Sequence, residues 1–231
     1  RVFRFVKGPI FANIVLADEI NRTPPKTQAA LLQAMQERVV TAAGQSYPLD
    51  KPFFVLATQN PIEQEGTYPL PEAQLDRFML ELQIGYPSRA EEEEIAMTTT
   101  GGARPEVRPV VNAGEMVELQ KLVRRVPVSP SLVALAVRLA RGTRPRDEEA
   151  PEVTRRYVAW GAGPRASQYL VIGAKARAAA RGDAVPSYED VRAVAPAVLS
   201  HRVVLNFEAE ADGRTPRDVV TELIELSRRW T

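Results

Sequence analysis

The sequence lacks several residues and patterns on which common functions depend. It has no cysteine and a single histidine, His201, which excludes disulfides, thiolate metal sites, cysteine nucleophiles and metal sites built on two histidines. No apolar run approaches the length of a membrane span, and the N-terminus does not resemble a signal peptide. We therefore expect a cytoplasmic protein that makes no contact with a membrane.

The sequence also lacks an excess of charge of either sign. Its formal net charge is +1 at pH 7, and the basic residues are not interleaved with aromatic ones. A nucleic-acid-binding surface usually needs a basic stripe or aromatic side chains on which bases stack. We therefore do not expect nucleic acid to be a partner.

The first part of the chain has the pattern of an α/β fold. Apolar runs over residues 11–17 and 53–57 are typical of strands buried on both faces. Helical spacing over residues 24–37 predicts a helix between them, and alternation over 39–48 around Gly44 predicts a β-hairpin. Residues 78–84 have the pattern of a third strand.

The remainder of the chain has the pattern of an all-α unit. Ser88 has the position of a helix N-cap followed by acidic residues, and a linker rich in turn residues follows that helix. Further helices are predicted over residues 113–125, 129–142, 164–181, 187–199 and 215–229. We thus predict an α/β part over 1–87, a helix and linker over 88–112, and a helical domain over 113–231.

Polar residues follow both apolar runs at the point where each predicted strand ends. Asp18 and Glu19 follow the first run, and Asn60 lies just after the second. Open α/β sheets bind ligands beyond the carboxyl ends of their strands, and an apolar strand followed by Asp-Glu is the Walker B pattern of phosphoryl-transfer sites. The same letters also fit an ordinary strand end before a capped helix, and an Asn before Pro is a common turn residue.

Arg77 follows Asn60 after one loop and one short predicted helix. A guanidinium at this place could neutralise charge that develops during phosphoryl transfer. The alternative is a structural salt bridge between Arg77 and a carboxylate of the same segment, Asp76 or Glu72.

Taken together, these motifs resemble the MoxR family of AAA+ ATPases. The matching segments stand in the same order and at the same spacing as in that family. They are Lys7–Phe11, Ala17–Arg22, Pro24–Gln28, Leu31–Glu37, Ala57–Pro61, Glu63–Ala73 and Leu75–Phe78. The resemblance covers residues 1–90 closely and the helical part more loosely. It implies a partial AAA+ P-loop-type parallel sheet core followed by an all-α lid domain.

The resemblance implies a role for each candidate residue. Asp18 and Glu19 become the Walker B pair, with Asp18 supporting Mg²⁺ through water and Glu19 acting as the catalytic base. Asn60 becomes sensor 1, and Arg77 becomes an arginine finger that acts on ATP bound by a neighbouring subunit. Arg165 becomes the sensor 2 arginine of the lid.

The lid differs from the family pattern at one position and contains the single histidine. Gly163 stands where the family has Ser before its Pro-Arg-Ala, and this change removes a helix cap without touching the guanidinium of Arg165. For His201 we expect a packing or capping role in the lid and no part in catalysis.

The resemblance also implies cofactors, partners and a function. It implies ATP and Mg²⁺, a homo-oligomer in the form of a hexameric ring, and a partner with a von Willebrand factor A domain. The function implied is that of a chaperone-like motor in protein maturation, complex assembly or metal-cofactor insertion. The alternative is a non-hydrolysing adaptor or assembly protein that kept the AAA+ fold.

The phosphate-binding motif of the family, Gly-x-x-x-x-Gly-Lys-Ser/Thr, does not occur in the sequence. Without its backbone amides and its lysine, the β- and γ-phosphates of ATP have no main anchor. We therefore expect the sequence to be a fragment that neither binds ATP tightly nor hydrolyses it. We also expect the strand that leads into this motif to be missing from the sheet, which would leave two edges unpaired.

Overall fold

The first part of the chain is built on a small parallel sheet. The computed structural model describes residues 5–60, 66–102 and 106–230. In it, β1 (Ile14–Ala17) pairs in parallel with β4 (Phe54–Ala57), with Ile14 opposite Phe54 and Ala17 opposite Ala57. Because parallel strands end at the same edge of a sheet, the residues after Ala17 and Ala57 are brought side by side.

The elements between these two strands follow the predicted pattern closely. A 3₁₀ turn (Ile20–Arg22) precedes α1 (Pro25–Glu37), and β2 (Val39–Ala42) then pairs antiparallel with β3 (Gln45–Pro48). The predicted helix and hairpin are thus confirmed. α1 begins at a proline, which suits the first turn of a helix because proline has no N–H to leave unpaired.

A buried glutamine of α1 fixes the turn that follows β1. The side chain of Gln28 is 1 % exposed, and its Nε2 donates to the carbonyl oxygens of Ile20 at 3.1 Å and Tyr68 at 2.9 Å. The Tyr68 amide in turn donates to the Asn21 oxygen at 2.6 Å. Because the Gln28 amide satisfies two backbone carbonyls, it fixes the segments that contain Ile20 and Tyr68 against α1.

Two expectations about the sheet are wrong. The strands are not buried on both faces, because Ile14, Leu16, Phe54 and Leu56 point to a face that no described residue covers. Residues 78–84 do not form a strand, and Leu82 and Ile84 are largely exposed. Within the described residues the sheet consists of β1 and β4 alone, so residues 78–84 have no neighbouring strand with which to pair.

A short helix and a long exposed helix follow the sheet. The helix α2 (Glu72–Leu75) lies just before Asp76 and Arg77, and α3 (Arg89–Thr100) begins at the predicted N-cap, Ser88. The Ser88 hydroxyl and the Glu91 carboxylate form a reciprocal capping box, but α3 buries no residue. The predicted domain limits at residues 87 and 112 stay predictions.

The last part of the chain is a helical bundle whose core is aliphatic. Its main helices are α4 (Ala113–Arg125), α5 (Pro130–Gly142), α7 (Pro164–Arg181), α8 (Tyr188–Leu199) and α10 (Pro216–Ser227). Side chains of four of them, Leu139, Leu170, Leu199 and Leu223, meet at 0 % exposure. Side-chain N-caps begin α4, α5, α8 and α10, so these starts were encoded locally in the sequence.

The bundle is not entirely helical, which corrects the all-α expectation. Two short helices, α6 (Glu152–Tyr157) and α9 (Phe207–Ala211), flank a small antiparallel pair of strands, β5 (Val158–Trp160) and β6 (Val204–Leu205). These strands are too short to give an alternating pattern in the sequence. Among the described residues, no helix is long and apolar enough to cross a membrane.

Two glycines before α7 have opposite surroundings. A Cβ at Gly161 would overlap the backbone carbonyl of Thr143, whereas no atom lies within 4 Å of the Cβ position at Gly163. The chain at Gly161 is held close to the backbone of Thr143 because the Ala162 amide donates to Thr143 Oγ1 at 2.8 Å. Gly163 is the N-cap of α7 and supplies no side-chain cap.

The same substitution should therefore have opposite effects at these two positions. We expect Gly161→Ser to lower the free energy of unfolding by about 2 kcal/mol through backbone overlap. Gly163→Ser should raise it by a few tenths, about 0.3 kcal/mol, through the added cap. Urea unfolding followed by circular dichroism measures both, and equal effects of the two variants would contradict the packing described here.

Candidate functional site

The end of β1 and the end of β4 are joined through the side chain of Thr58. The Thr58 hydroxyl donates to Asp18 Oδ1 at 2.5 Å and accepts from the Glu19 amide at 2.8 Å. The backbone continues the pairing, because the Thr58 amide donates to the Ala17 oxygen at 3.1 Å and the Ile20 amide to the Thr58 oxygen at 3.0 Å. The Asp18 carboxylate and the Glu19 backbone are thereby held at the edge of the sheet.

Glu19 has a left-handed backbone conformation, with φ 48° and ψ 52°. For a residue other than glycine this conformation costs on the order of 1 kcal/mol. The hydrogen bonds that Thr58 makes to residues 19 and 20 hold it in place. The Glu19 carboxylate lies 3.1 Å from Nε of Arg22, and both side chains are about half exposed. The carboxylate therefore remains accessible to water and to a ligand.

Asn60 lies two residues after Thr58, on the same chain segment that leaves β4. It is half-buried, and residues 61–65 that follow it lie outside the described residues. The structure thus brings Asp18, Glu19 and Asn60 to the ends of two paired strands, as the sequence predicted. Their roles in chemistry stay predictions.

Arg77 and Arg165 lie at a second place, where the segment after α2 contacts the helical bundle. Asp76 joins the two parts: its Oδ2 accepts from Arg165 Nη1 at 2.7 Å, and its Oδ1 accepts from Arg202 Nε at 2.8 Å. The sequence offers Asp76 as a salt-bridge partner of Arg77, but its carboxylate accepts from the two arginines of the bundle instead. Within the described residues, no carboxylate lies within ion-pair distance of Arg77.

Arg202 is the most deeply buried charged group of this contact. Its side chain is 1 % exposed, and burial lowers its pKa while the Asp76 carboxylate acts to raise it. The guanidinium also donates to the carbonyl oxygens of Asp76 at 2.8 Å and Phe78 at 2.6 Å. A buried charge is stable only when its donors are satisfied, so residues 76–78 are held against the bundle.

Two further side chains of the bundle reach the same segment. His201 Nε2 lies 3.2 Å from the Phe78 oxygen, and the Tyr169 hydroxyl lies 3.4 Å from the Arg77 oxygen. The Glu81 amide donates to the Ala197 oxygen at 2.8 Å. His201 therefore has the packing role in the lid that the sequence predicted.

The candidate residues thus form two groups. Asp18, Glu19 and Asn60 lie at the strand ends, and Arg77 and Arg165 lie at the contact with the bundle. Within the described residues, no hydrogen bond or ion pair joins Asp18 or Glu19 to either arginine.

Thr58, Asp76 and Arg202 position the candidate residues. The sequence indicated no role for Thr58 or Arg202, and for Asp76 only a possible ion pair with Arg77. In the sequence, Thr58 stands two residues before Asn60, and Asp76 stands directly before Arg77. Arg202 is an arginine that follows an apolar helix. None of these signals identifies a partner.

The strand-end group could contribute a carboxylate to the binding of a magnesium ion. Magnesium is usually held by one or two carboxylates, by water and by phosphate oxygens of a bound nucleotide. One oxygen of Asp18 accepts from Thr58, and a carboxylate has further lone pairs with which to bind a water of such an ion. The described residues contain no group of three or more His, Asp or Glu side chains that could hold a metal ion by themselves.

Comparison with known proteins gives two matches to family models. Residues 1–80 match the ATPase family associated with various cellular activities (AAA), and residues 150–223 match the AAA lid domain. The first match contains Asp18, Glu19, Asn60 and Arg77, and the second contains Arg165.

Several whole proteins are similar to the chain along nearly all of its length. It is 43 % identical over 218 residues to the chaperone MoxR1 of Mycobacterium tuberculosis, covering 94 % of this chain and 58 % of that protein. It is 41 % identical over 223 residues to the uncharacterized protein YeaC of Bacillus subtilis, covering 96 % and 67 %. The protein MoxR of Methylorubrum extorquens is 31 % identical, and 63 % of it is covered. The chain thus spans about three fifths to two thirds of the curated relatives it matches.

A solved structure has the same fold. The crystal structure of a candidate ATPase from Cytophaga hutchinsonii superposes with a TM-score of 0.88 at 41 % sequence identity. The superposition covers 95 % of this chain and 67 % of the other. The arrangement of sheet, segment 76–81 and helical bundle therefore matches that of a known protein along almost the whole chain.

The buried histidine should make the contact between the segment 76–81 and the bundle sensitive to acid. Burial and the neighbouring Arg202 lower the pKa of His201 from 6.5 to about 4, while the Phe78 carbonyl and Asp76 act to raise it. The Glu81 carboxylate, 3.7 Å from Nδ1, also faces the ring. In the unfolded chain the imidazole takes up a proton near pH 6.5, whereas in the folded chain it does so near pH 4.

The stability that the neutral histidine contributes is thus complete above pH 6.5 and is lost as the pH falls from 6.5 to 4. The loss can reach about 3 kcal/mol. We expect His201→Gln to remove this part of the pH dependence. Urea unfolding of both proteins at pH 7.0, 5.5 and 4.5 tests this, and parallel pH profiles would contradict the buried neutral state.

Proposed function

The chain belongs to the MoxR family of AAA+ ATPases, and from this membership we propose that it forms the hydrolysis side of an ATP site in a chaperone-like motor. One observation carries the proposal: Thr58 holds both the Asp18 carboxylate and the Glu19 amide at the ends of two paired parallel strands. This is the edge at which open α/β sheets bind ligands.

The two carboxylates of the strand-end group take different roles. Asp18 would hold Mg²⁺, which would neutralise charge on the phosphates when bound. Glu19, whose carboxylate is half exposed, orients the attacking water and accepts its proton. Asn60 donates a hydrogen bond to the same water or to the γ-phosphate.

The two arginines at the contact with the bundle act from different directions. Arg165, at the start of α7, binds the phosphates of the nucleotide held by its own subunit. Arg77 acts as an arginine finger on the nucleotide of the neighbouring subunit in a ring. Its freedom from ion pairs with Asp76 and Glu72 supports this role, because a finger must be available to a phosphate.

The phosphates of ATP are anchored by a loop that this sequence does not contain, so we propose that the ATP site is complete only in a longer polypeptide. The 231-residue chain by itself then hydrolyses no ATP. We further propose a hexameric ring in the cytoplasm, a partner with a von Willebrand factor A domain, and a role in protein maturation or complex assembly. Similarity to a protein named chaperone MoxR1 supports the chaperone-like role.

Glu19→Gln in the complete ATPase tests the proposed base. The amide keeps the shape of the side chain but accepts no proton, so we expect kcat to fall by about 10²–10⁴-fold while the affinity for ATP is unchanged. Phosphate release and nucleotide binding measure the two quantities, with the 231-residue chain as the inactive baseline. Unchanged turnover would remove Glu19 from this role, and absence of turnover in the unmodified protein would favour the non-hydrolysing adaptor.

Mixed rings test whether Arg77 acts across the subunit interface. Arg77→Ala should lower kcat by about 10³–10⁵-fold when every subunit carries it. In rings that also contain Glu19→Gln subunits, some interfaces combine the intact Glu19 of an Arg77→Ala subunit with the intact Arg77 of a Glu19→Gln subunit. We expect turnover of the mixture to exceed that of either variant alone. If no mixing ratio restores activity, Arg77 does not act in trans.

A further inference from the structure

We propose that Asp76 is a positioning residue that competes with bound nucleotide for Arg165 and thereby couples the lid to Arg77. The inference rests on the proposed function and adds to it a residue that links the two arginines. Asp76 itself would touch no substrate. It acts through Arg165 on one side and through the backbone of residue 77 on the other.

The geometry shows one carboxylate shared by two guanidinium groups. Oδ2 of Asp76 lies 2.7 Å from Nη1 of Arg165, and Oδ1 lies 2.8 Å from Nε of Arg202. The local charge of the three groups is +1, so the cluster as a whole remains attractive to an anion. A phosphate oxygen can therefore approach Arg165 without meeting a net negative charge.

The two arginines are held with different strength. Arg202 has several further acceptors in addition to Asp76, and its side chain is 1 % exposed. The side chain of Arg165 is 38 % exposed, and within the described residues it donates only to Asp76. An ion pair that is accessible to solvent contributes little free energy. Arg165 is thus the arginine that can leave Asp76, and Arg202 is the one that stays.

Release of Arg165 is communicated to Arg77 because both are attached to the same few residues. Arg77 follows Asp76 directly, and Tyr169, one helical turn after Arg165 on α7, lies 3.4 Å from the Arg77 oxygen. When Arg165 leaves, Asp76 keeps its ion pair with Arg202. The start of α7 can then move relative to Arg77. The nucleotide state of one subunit therefore alters the position of the finger that it presents to the next.

A purely structural ion pair is the competing explanation, and the sign of the change in KM distinguishes the two. If Asp76 competes with nucleotide, Asp76→Asn in the complete ATPase frees Arg165 and lowers the KM for ATP about 5-fold. The same variant lowers kcat about 10-fold or more, because the finger is no longer held in place. A structural pair predicts a smaller active fraction, with lower kcat and an unchanged KM.

Arg165→Ala should change KM in the opposite direction. We expect it to raise the KM for ATP about 5-fold, and Asp76→Asn combined with Arg165→Ala should have the KM of Arg165→Ala alone. Asp183→Asn is the matched control, since Asp183 pairs with Arg181 at 2.7 Å at the other end of α7. This control should leave KM and kcat unchanged.

Hydrogen exchange of the unmodified ATPase provides a measurement that needs no Asp76 variant. A non-hydrolysable ATP analogue should alter the exchange of the Phe78 and Glu81 amides in the unmodified protein but not in Arg165→Ala. Unchanged exchange on binding, or a KM that does not fall in Asp76→Asn, would overturn the inference alone. Failure of the unmodified protein to bind ATP would overturn the proposed function and this inference with it.

Discussion

The burial of Arg202 is the constraint on which the arrangement of the candidate site depends. A guanidinium taken out of water must find acceptors for its N–H groups, since leaving a charge buried and unpaired costs several kcal/mol. The segment 76–78 supplies the Asp76 carboxylate and the carbonyls of Asp76 and Phe78. The segment therefore has to lie against the bundle, and this places Arg77 beside the lid and Arg165 beside Asp76. The strand-end group depends in a similar way on Thr58, whose hydroxyl bonds to the Asp18 carboxylate and to the Glu19 amide.

The parts of the fold that local sequence encodes were predictable. Helix starts with a capping side chain, such as Ser88, Ser129 and Thr215, appear in the structure where the letters place them. The two strands and the hairpin between them follow from apolar runs and a glycine turn. The strand-end positions of Asp18 and Asn60 were predictable for the same reason, because Asp18 directly follows one apolar run and Asn60 comes three residues after the other.

The features that depend on distant partners could not be predicted. Residues 78–84 have the letters of a strand, yet a strand forms only beside a neighbour, and Glu81 instead bonds to the end of α8 through Ala197. The pairing of Asp76 with Arg165 and Arg202 spans 89 and 126 residues. The sequence alone offered neighbours in the same segment as ion-pair partners, Asp76 or Glu72 for Arg77, because no local pattern identifies a contact at such separations.

A double-mutant cycle between Asp76 and Arg202 measures the contact that joins the strand-bearing part to the bundle. Asp76→Asn, Arg202→Gln and the double variant are compared by urea unfolding of the 231-residue chain. We expect a coupling free energy of about 2 kcal/mol, as for a hydrogen-bonded charge pair with one buried partner. A coupling within about 0.5 kcal/mol of zero would show that the two residues act independently and would contradict the account.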